Sequence, residues 1–513
     1  MSNSLTRDLL RLVEDCELNA KNVSYRWAQK FHLMPPCGWL NDPNGLHQRD
    51  GVFHAFYQYS PTDAEGNGSK MWGHAISRDL MKWEDLGAAL LPDESIDCHG
   101  VYSGSALVHD GIVSLFYTGN VKLPCGDGSC DYIYSGREAN TILVNTADDS
   151  SFGVKQLLMT NDDYPNDLSC HVRDPKVWCA DVPCGRYLMV QGARRRVDAG
   201  NERLQGYVSS RTELFKRFNG ANCFSDQGEV LLFSSDNLAD WKLQNRITTA
   251  QQFGFMWECP DYFELSDIRV LSVCPQGLVG SDWDRRNLYH SGYFTLDGDI
   301  CSDYELGEFL VWDAGFDFYA PQTFMSEDGR RILIGWMGLP SDGSYGNDPT
   351  VAEGWQHCLT VPRELTVGAD GVVLQQPARE IEHHYLSVRV GAGSLEVAGD
   401  TCFDVRVDDV DGAFAATVDG ELKLAFMPAE GELPARFEMR FVDEGRASAG
   451  CGRTVRWEPV DEVCNVRIVG DVSSVEVFVN DGALVFSTRI YPEAYGLSVD
   501  APGANVTYHM LSI

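Results

Sequence analysis

No stretch of this chain approaches the roughly 18 consecutive apolar residues that a membrane span requires, and after the first thirty residues long helical periodicity is missing as well. Basic residues are scarce: 41 Lys and Arg stand against 75 Asp and Glu, for a net charge of −34. A field of that sign repels nucleic acid and anionic lipid, so neither is an expected partner without a local basic patch. The run Arg194-Arg195-Arg196 is too short to reverse the balance and reads first as a solvated loop. The amino terminus does not read as a signal peptide. Leu9, Leu10, Leu12 and Val13 lie among charges, the pattern of a short amphipathic helix, and a cytoplasmic location is the expectation.

Zinc-finger spacing is absent too. Cys125 and Cys130 in CGDGSC have no second Cys or His pair to complete a site, so no metal or other cofactor is expected. Of the 16 cysteines, Cys179, Cys184 and Cys274 sit in or beside apolar strands, where a free thiol behaves as a small hydrophobe. Without a secretion signal, reduced thiols are expected.

What is present is β-structure on a globular composition, 44% apolar and 23% charged over 513 residues. Five buried-strand runs resemble one another: VFHAFYQY from Val52, IVSLFYTG from Ile112, RYLMVQGA from Arg186, VLSVCPQG from Val270 and RILIGWMG from Arg331. Their spacing exceeds that of ordinary blades, and insertions at 121–169 and 195–228 account for the excess. Five degenerate all-β units predict a five-bladed β-propeller; a pair of sandwiches would not recur in this way. Beyond residue 365 the alternation becomes cleaner, as in FDVRV, FEMRF and VEVFV, the last entering an Asn480-Asp481-Gly482 hairpin turn. The expected layout is a helical extension over 1–30, the propeller over 31–368, a linker over 369–389 and a β-sandwich over 390–513.

The stretch GWLNDPNG from Gly38 reads most simply as a type I turn with Asp42 at its corner. Its position relative to the repeat suggests more. Asp42 precedes its repeated strand by ten residues, and Asp174 in HVRDPKVW and Glu258 in FMWECPDYF each precede theirs by twelve, so the three acids are read as sharing one slot. Blade two has Ser103-Gly104-Ser105 there and blade five Asp317 to Ala320. Rotation about the propeller axis would bring such positions together, and repulsion between close carboxylates would raise at least one pKa. Paired carboxyls suit glycosidic cleavage, with Trp39, Trp72, Trp257, Phe255 and Tyr319 as candidate apolar faces for a sugar ring.

The ordered set HLMPPCGWLNDPNG, FYQY, WGHAISRDL, YSGS, RDPKVW, ECPDYF and DFYAPQTF resembles the motifs of glycoside hydrolase family 32, the invertases, sucrose-6-phosphate hydrolases and fructan hydrolases. The resemblance implies a five-bladed propeller followed by a β-sandwich. It implies that Asp42 is the nucleophile, Glu258 the acid/base and Asp174 the stabiliser of the transition state. Asn41, Gln58, Trp72, Ser105, Arg173 and Trp336 match positions that line the pocket or orient the catalytic groups. It further implies retaining double displacement on a small-molecule sugar, with no metal. A phosphorylated sugar would need local cations, for which Arg194 to Arg196 or Arg285 and Arg286 are candidates. Glu382-His383-His384-Tyr385 departs from the family pattern and puts the packing between domains in question. A non-catalytic sugar-binding propeller and an inverting relative are the competing readings.

Overall fold

The computed structural model describes residues 4–124, 130–197, 210–220, 223–280, 286–339, 345–442 and 454–513. Five antiparallel sheets of four or five strands follow one another along the chain. Their innermost strands, Gly38–Arg49, Val101–His109, Leu168–Val182, Met256–Leu265 and Tyr319–Met325, neighbour one another in a ring, the fifth returning to the first. This is a five-bladed propeller. The five repeated runs are the second strands of the blades, and the acids upstream of them fall on the inner strands that face the axis.

The ring closes by a strand exchange. Trp355–Gln356, which follows blade five's second strand, pairs in parallel with Gly38 and Trp39 at the start of blade one. Blade five itself runs further than its sequence suggests: Val373–Pro377, inside the segment expected to be a linker, pairs with Arg363–Val367 as its outermost strand. At the amino terminus the helix Ser4–Ala20 lies against blade one, where Glu17 accepts from Tyr59 Oη at 3.1 Å. A second helix, Ser210–Asn219, occupies the blade-three insertion, where no helical pattern was expected.

The carboxy-terminal strands form a sandwich around Phe403, Val405, Leu424, Phe437, Ile468 and Phe486. Alternating Val and Phe on these strands place one face inward, which is why their periodicity is cleaner than that of the blades. The sandwich meets the propeller through buried charge. Arg363 is fully buried and reaches Glu476 at 2.6 Å and Asp313 at 3.0 Å. His32 bridges Asp471 and Glu476, each at 2.9 Å. The atypical Glu382-to-Tyr385 segment also joins the two parts: His384 approaches Asp79 of blade one at 3.1 Å, and Tyr385 donates to Asp404 of the sandwich at 2.6 Å.

Thirteen described cysteines are free thiols, whereas Cys130 is disulfide-bonded, which corrects the expectation of reduced thiols at that residue; Cys125 lies outside the described residues. No described helix is long and apolar enough to cross a membrane.

Candidate active site

Every inner strand breaks register at the same depth. The irregularities fall between Leu40 and Pro43, Val101 and Gly104, Arg173 and Lys176, Glu258 and Asp261, and Tyr319 and Gln322. A tripeptide sits at each break: Asn41-Asp42-Pro43, Tyr102-Ser103-Gly104, Arg173-Asp174-Pro175, Glu258-Cys259-Pro260 and Tyr319-Ala320-Pro321. Proline lacks the N–H that a regular ladder would use, so four of the five sequences favour a bulge. Blade two has glycine instead, because a Cβ on Gly104 would lie 1.9 Å from the Phe116 carbonyl oxygen. GWLNDPNG is therefore a bulged strand and not a β-turn.

Aligned on that third residue, the tripeptides form two tiers around the axis. Asn41, Tyr102, Arg173, Glu258 and Tyr319 make one; Asp42, Ser103, Asp174, Cys259 and Ala320 make the other. The single slot inferred for the three acids is thus two: Glu258 stands one residue ahead of Asp42 and Asp174. A count from strand starts could not resolve that offset, because the bulge lies between. The φ angles of Asp174, Cys259 and Ala320 are +64°, +46° and +49°, a left-handed strain that re-aims these side chains and their neighbours.

Nine of these ten residues line one cavity of about 360 Å³ at the channel mouth, Ala320 being the exception. Within it Asp42 accepts from Ser103 Oγ at 2.5 Å and from Asn41 Nδ2 at 3.1 Å. Glu258 accepts from Arg173 at 2.6 Å, from Tyr319 Oη at 2.7 Å and from Gln276. Asp174 accepts from the Cys259 amide at 2.9 Å, and the Cys259 thiol lies 3.8 Å from Asp42 and 3.6 Å from Asp174. Burial raises the pKa of Asp42, and the Glu258 charge adds to this. Asp174 is pushed up to about 7, again mainly by burial, with Glu258 and Asp42 contributing against the Arg173 guanidinium. Desolvation, more than the repulsion inferred from sequence, sets both shifts.

Among the remaining expected site residues, Asn41, Gln58, Arg173 and Trp336 line the cavity. Trp72 and Ser105 do not. Trp72 is fully buried and donates to the Tyr102 carbonyl at 3.1 Å, while Ser105 ties blade two to blade three through Pro175 and Val177. Trp257 and Phe255 are core residues, whereas Trp39 and Tyr319 reach the cavity. Sequence reasoning missed Lys70, Arg137, Gln276 and Tyr345 as site residues. Only Gln276 had a local signal, standing opposite Met256 at the strand end beside Glu258.

Two other features lie away from this cavity. A larger hollow, about 650 Å³, opens at the far end of the channel among Leu46, Leu107, Val177, Phe263 and Phe324. Asp42, Asp174 and Glu258 are not in its lining, and Lys176, bound to Thr323 O at 2.5 Å and to Asp261 at 3.1 Å, stands at its floor. His47, His54 and Asp149 gather between blades one and two with potential ligand atoms within 4.8 Å. Their imidazoles stack at 6°, so the in-plane lone pairs do not converge on one ion, and Arg49 already neutralises Asp149 at 3.0 Å.

Residues 32–219 and 218–377 match the N-terminal domain of glycosyl hydrolases family 32, and residues 437–513 match that family's C-terminal region. The sucrose-6-phosphate hydrolase of Bacillus subtilis (strain 168) is 35% identical over 503 residues, spanning 95% of this chain and 93% of that protein. The raffinose invertase of Escherichia coli is 36% identical, spanning 91% and 90%. Among solved structures, a Bombyx mori family 32 β-fructofuranosidase in complex with sucrose superimposes with a TM-score of 0.75 at 25% identity over 99% of each chain. The sucrose-6-phosphate hydrolase of Lactobacillus gasseri shares the fold with a TM-score of 0.80, at 24% identity over 98% and 96%.

Proposed function

The chain belongs to glycoside hydrolase family 32 and is a β-fructofuranosidase, and from that premise we propose that Asp42, Glu258 and Asp174 divide its chemistry among them. Asp42 attacks the anomeric carbon of a terminal β-D-fructofuranosyl unit while Glu258 protonates the departing oxygen. Glu258, now ionised, then activates the water that releases fructose. Three donors hold Glu258, from Arg173, Tyr319 and Gln276, and fix the direction of its carboxyl group. Ser103 and Asn41 each hold one carboxylate oxygen of Asp42 and so fix the attacking group. Asp174, one tier with Asp42, grips fructosyl hydroxyls in this scheme.

The substrates of this reading are sucrose, sucrose 6-phosphate or short fructo-oligosaccharides, met in the cytoplasm. The observation that carries it is the convergence of the three acids on one sugar-sized cavity. The test is to hydrolyse sucrose, sucrose 6-phosphate, kestose and inulin side by side, with methanol present to trap the fructosyl group. Methyl β-D-fructofuranoside is the expected product; net inversion would rule out a covalent Asp42 intermediate.

A further inference from the structure

A phosphorylated substrate meets a difficulty here: a dianion must enter a protein whose net charge is −34. Local cations are therefore required, and most of those the sequence offers are already spent. Arg194 is bound to Asp226 at 2.6 Å, Arg195 lies 3.2 Å from Glu229, and Arg196 donates to the Tyr134 carbonyl. Arg286 is paired with Glu458 at 2.7 Å, and Arg285 lies outside the described residues. Within the cavity, Arg173 is committed to Glu258, and Lys70 donates to the Gly66 carbonyl at 2.9 Å while lying over the Trp39 ring.

Arg137 is different. Its side chain lines the cavity, and its Nε is buried without a hydrogen-bond partner. No carboxylate among the described residues pairs with it. Arg137 opens the blade-two strand Arg137–Thr146, where Asn161 Nδ2 anchors its carbonyl at 2.7 Å, so the backbone beneath the guanidinium is fixed. Its charge acts on half-buried His171, which in turn contacts Arg173, the residue that holds Glu258. That chain of neighbours puts Arg137 on the side of the acid/base, and the group that Glu258 protonates is the departing sugar. An unpaired, planar, five-donor cation at that place matches a phosphate monoester better than it matches a neutral hydroxyl.

We propose that Arg137 is a specificity-determining residue which recognises a phosphate carried by the leaving sugar, so that the enzyme prefers sucrose 6-phosphate to sucrose. This inference rests on the reading of Asp42 and Glu258 given above. The test compares kcat/KM for sucrose and sucrose 6-phosphate in the wild type and in Arg137→Gln and Arg137→Lys, with inhibition by glucose 6-phosphate and by glucose as a second readout. Circular dichroism establishes that each variant is folded.

The wild type is expected to favour the phosphorylated sugar. Arg137→Gln should lower kcat/KM on that substrate about ten- to a hundredfold more than on sucrose, mainly through KM, and should weaken inhibition by glucose 6-phosphate but not by glucose. Arg137→Lys should restore part of the preference. Equal losses on both sugars, or a wild type indifferent to the phosphate, would overturn the assignment of Arg137 and leave the catalytic reading intact. A wild type inactive on every fructoside would instead remove the catalytic reading, and Arg137 with it.

Discussion

Two groups of acids in this protein meet opposite fates. Asp42 and Asp174, at the channel mouth, have pKa values raised by burial. Asp471 and Glu476, between propeller and sandwich, are buried still more fully, yet His32, Arg363 and backbone amides hold both below the usual carboxylate range. The interface acids have their compensating charges built in. At the mouth, the short contact of Arg173 goes to Glu258 at 2.6 Å while Asp174 is 3.9 Å away. Buried charge with a partner is architecture; buried charge short of one is free energy held in readiness for a ligand.

The sharpest break in this comparison is at the mouth. Asp42→Asn should abolish turnover while leaving the circular dichroism spectrum unchanged, and Glu258→Gln should lower kcat by about 10²- to 10⁴-fold. Comparable rates in either variant would remove that carboxylate from the chemistry. The next largest effect belongs to the interface. Arg363→Met leaves Asp313 buried without its cation and Glu476 with His32 alone, and should cost about 3–5 kcal/mol in urea unfolding. The kcat of the molecules that remain folded should change little.

Asp174→Asn tests both halves of the idea together. Because the folded value of about 7 lies above the usual 3.8, the native state holds the proton more tightly, and stability is lost as pH rises between those values. The asparagine variant lacks this loss, so at pH 8 it should melt above the wild type while turning over far more slowly. A lower melting temperature at pH 8 would contradict the claim that this carboxylate is under-compensated.

The smallest expected effect is at His32. Desolvation alone would lower its pKa, but Asp471 and Glu476 outweigh it and push the imidazole up to about 9. Its ion pairs therefore contribute fully below pH 6.5 and fade as pH climbs to about 9. His32→Gln should be most destabilising near pH 6, and the gap from wild type in thermal melts should narrow steadily toward pH 9.

The fold class was legible because five second strands repeat a visible pattern; the prolines of four inner-strand bulges were not read as such, since Pro43 in GWLNDPNG looks like the corner of a turn. The gathering of Asp42, Asp174 and Glu258 at one cavity was legible from their place upstream of those strands. Their tiers were not, since a one-residue offset inside a bulge leaves no trace in strand spacing. Trp72 and Ser105 were read as site residues because they sit within site motifs, yet a motif records supports as well as contacts: Trp72 props the Tyr102 carbonyl from behind the cavity. Arg137 and Lys70 were invisible because a lone cation has no periodicity. The run Arg194-Arg195-Arg196 drew attention instead, and all three side chains are engaged with protein groups.

The parallel pairing of Gly38–Trp39 with Trp355–Gln356 bears on how the enzyme comes into being. Asp42 is among the first site residues to leave the ribosome, but the barrel of blades around it cannot shut until the chain has been made as far as Trp355. The latch of His32 to Asp471 and Glu476 must wait longer still. A nascent chain stopped short of that seam would carry Asp42, Asp174 and Glu258 and no enclosed site, so activity should be born in a single late step, long after its acids have been synthesised.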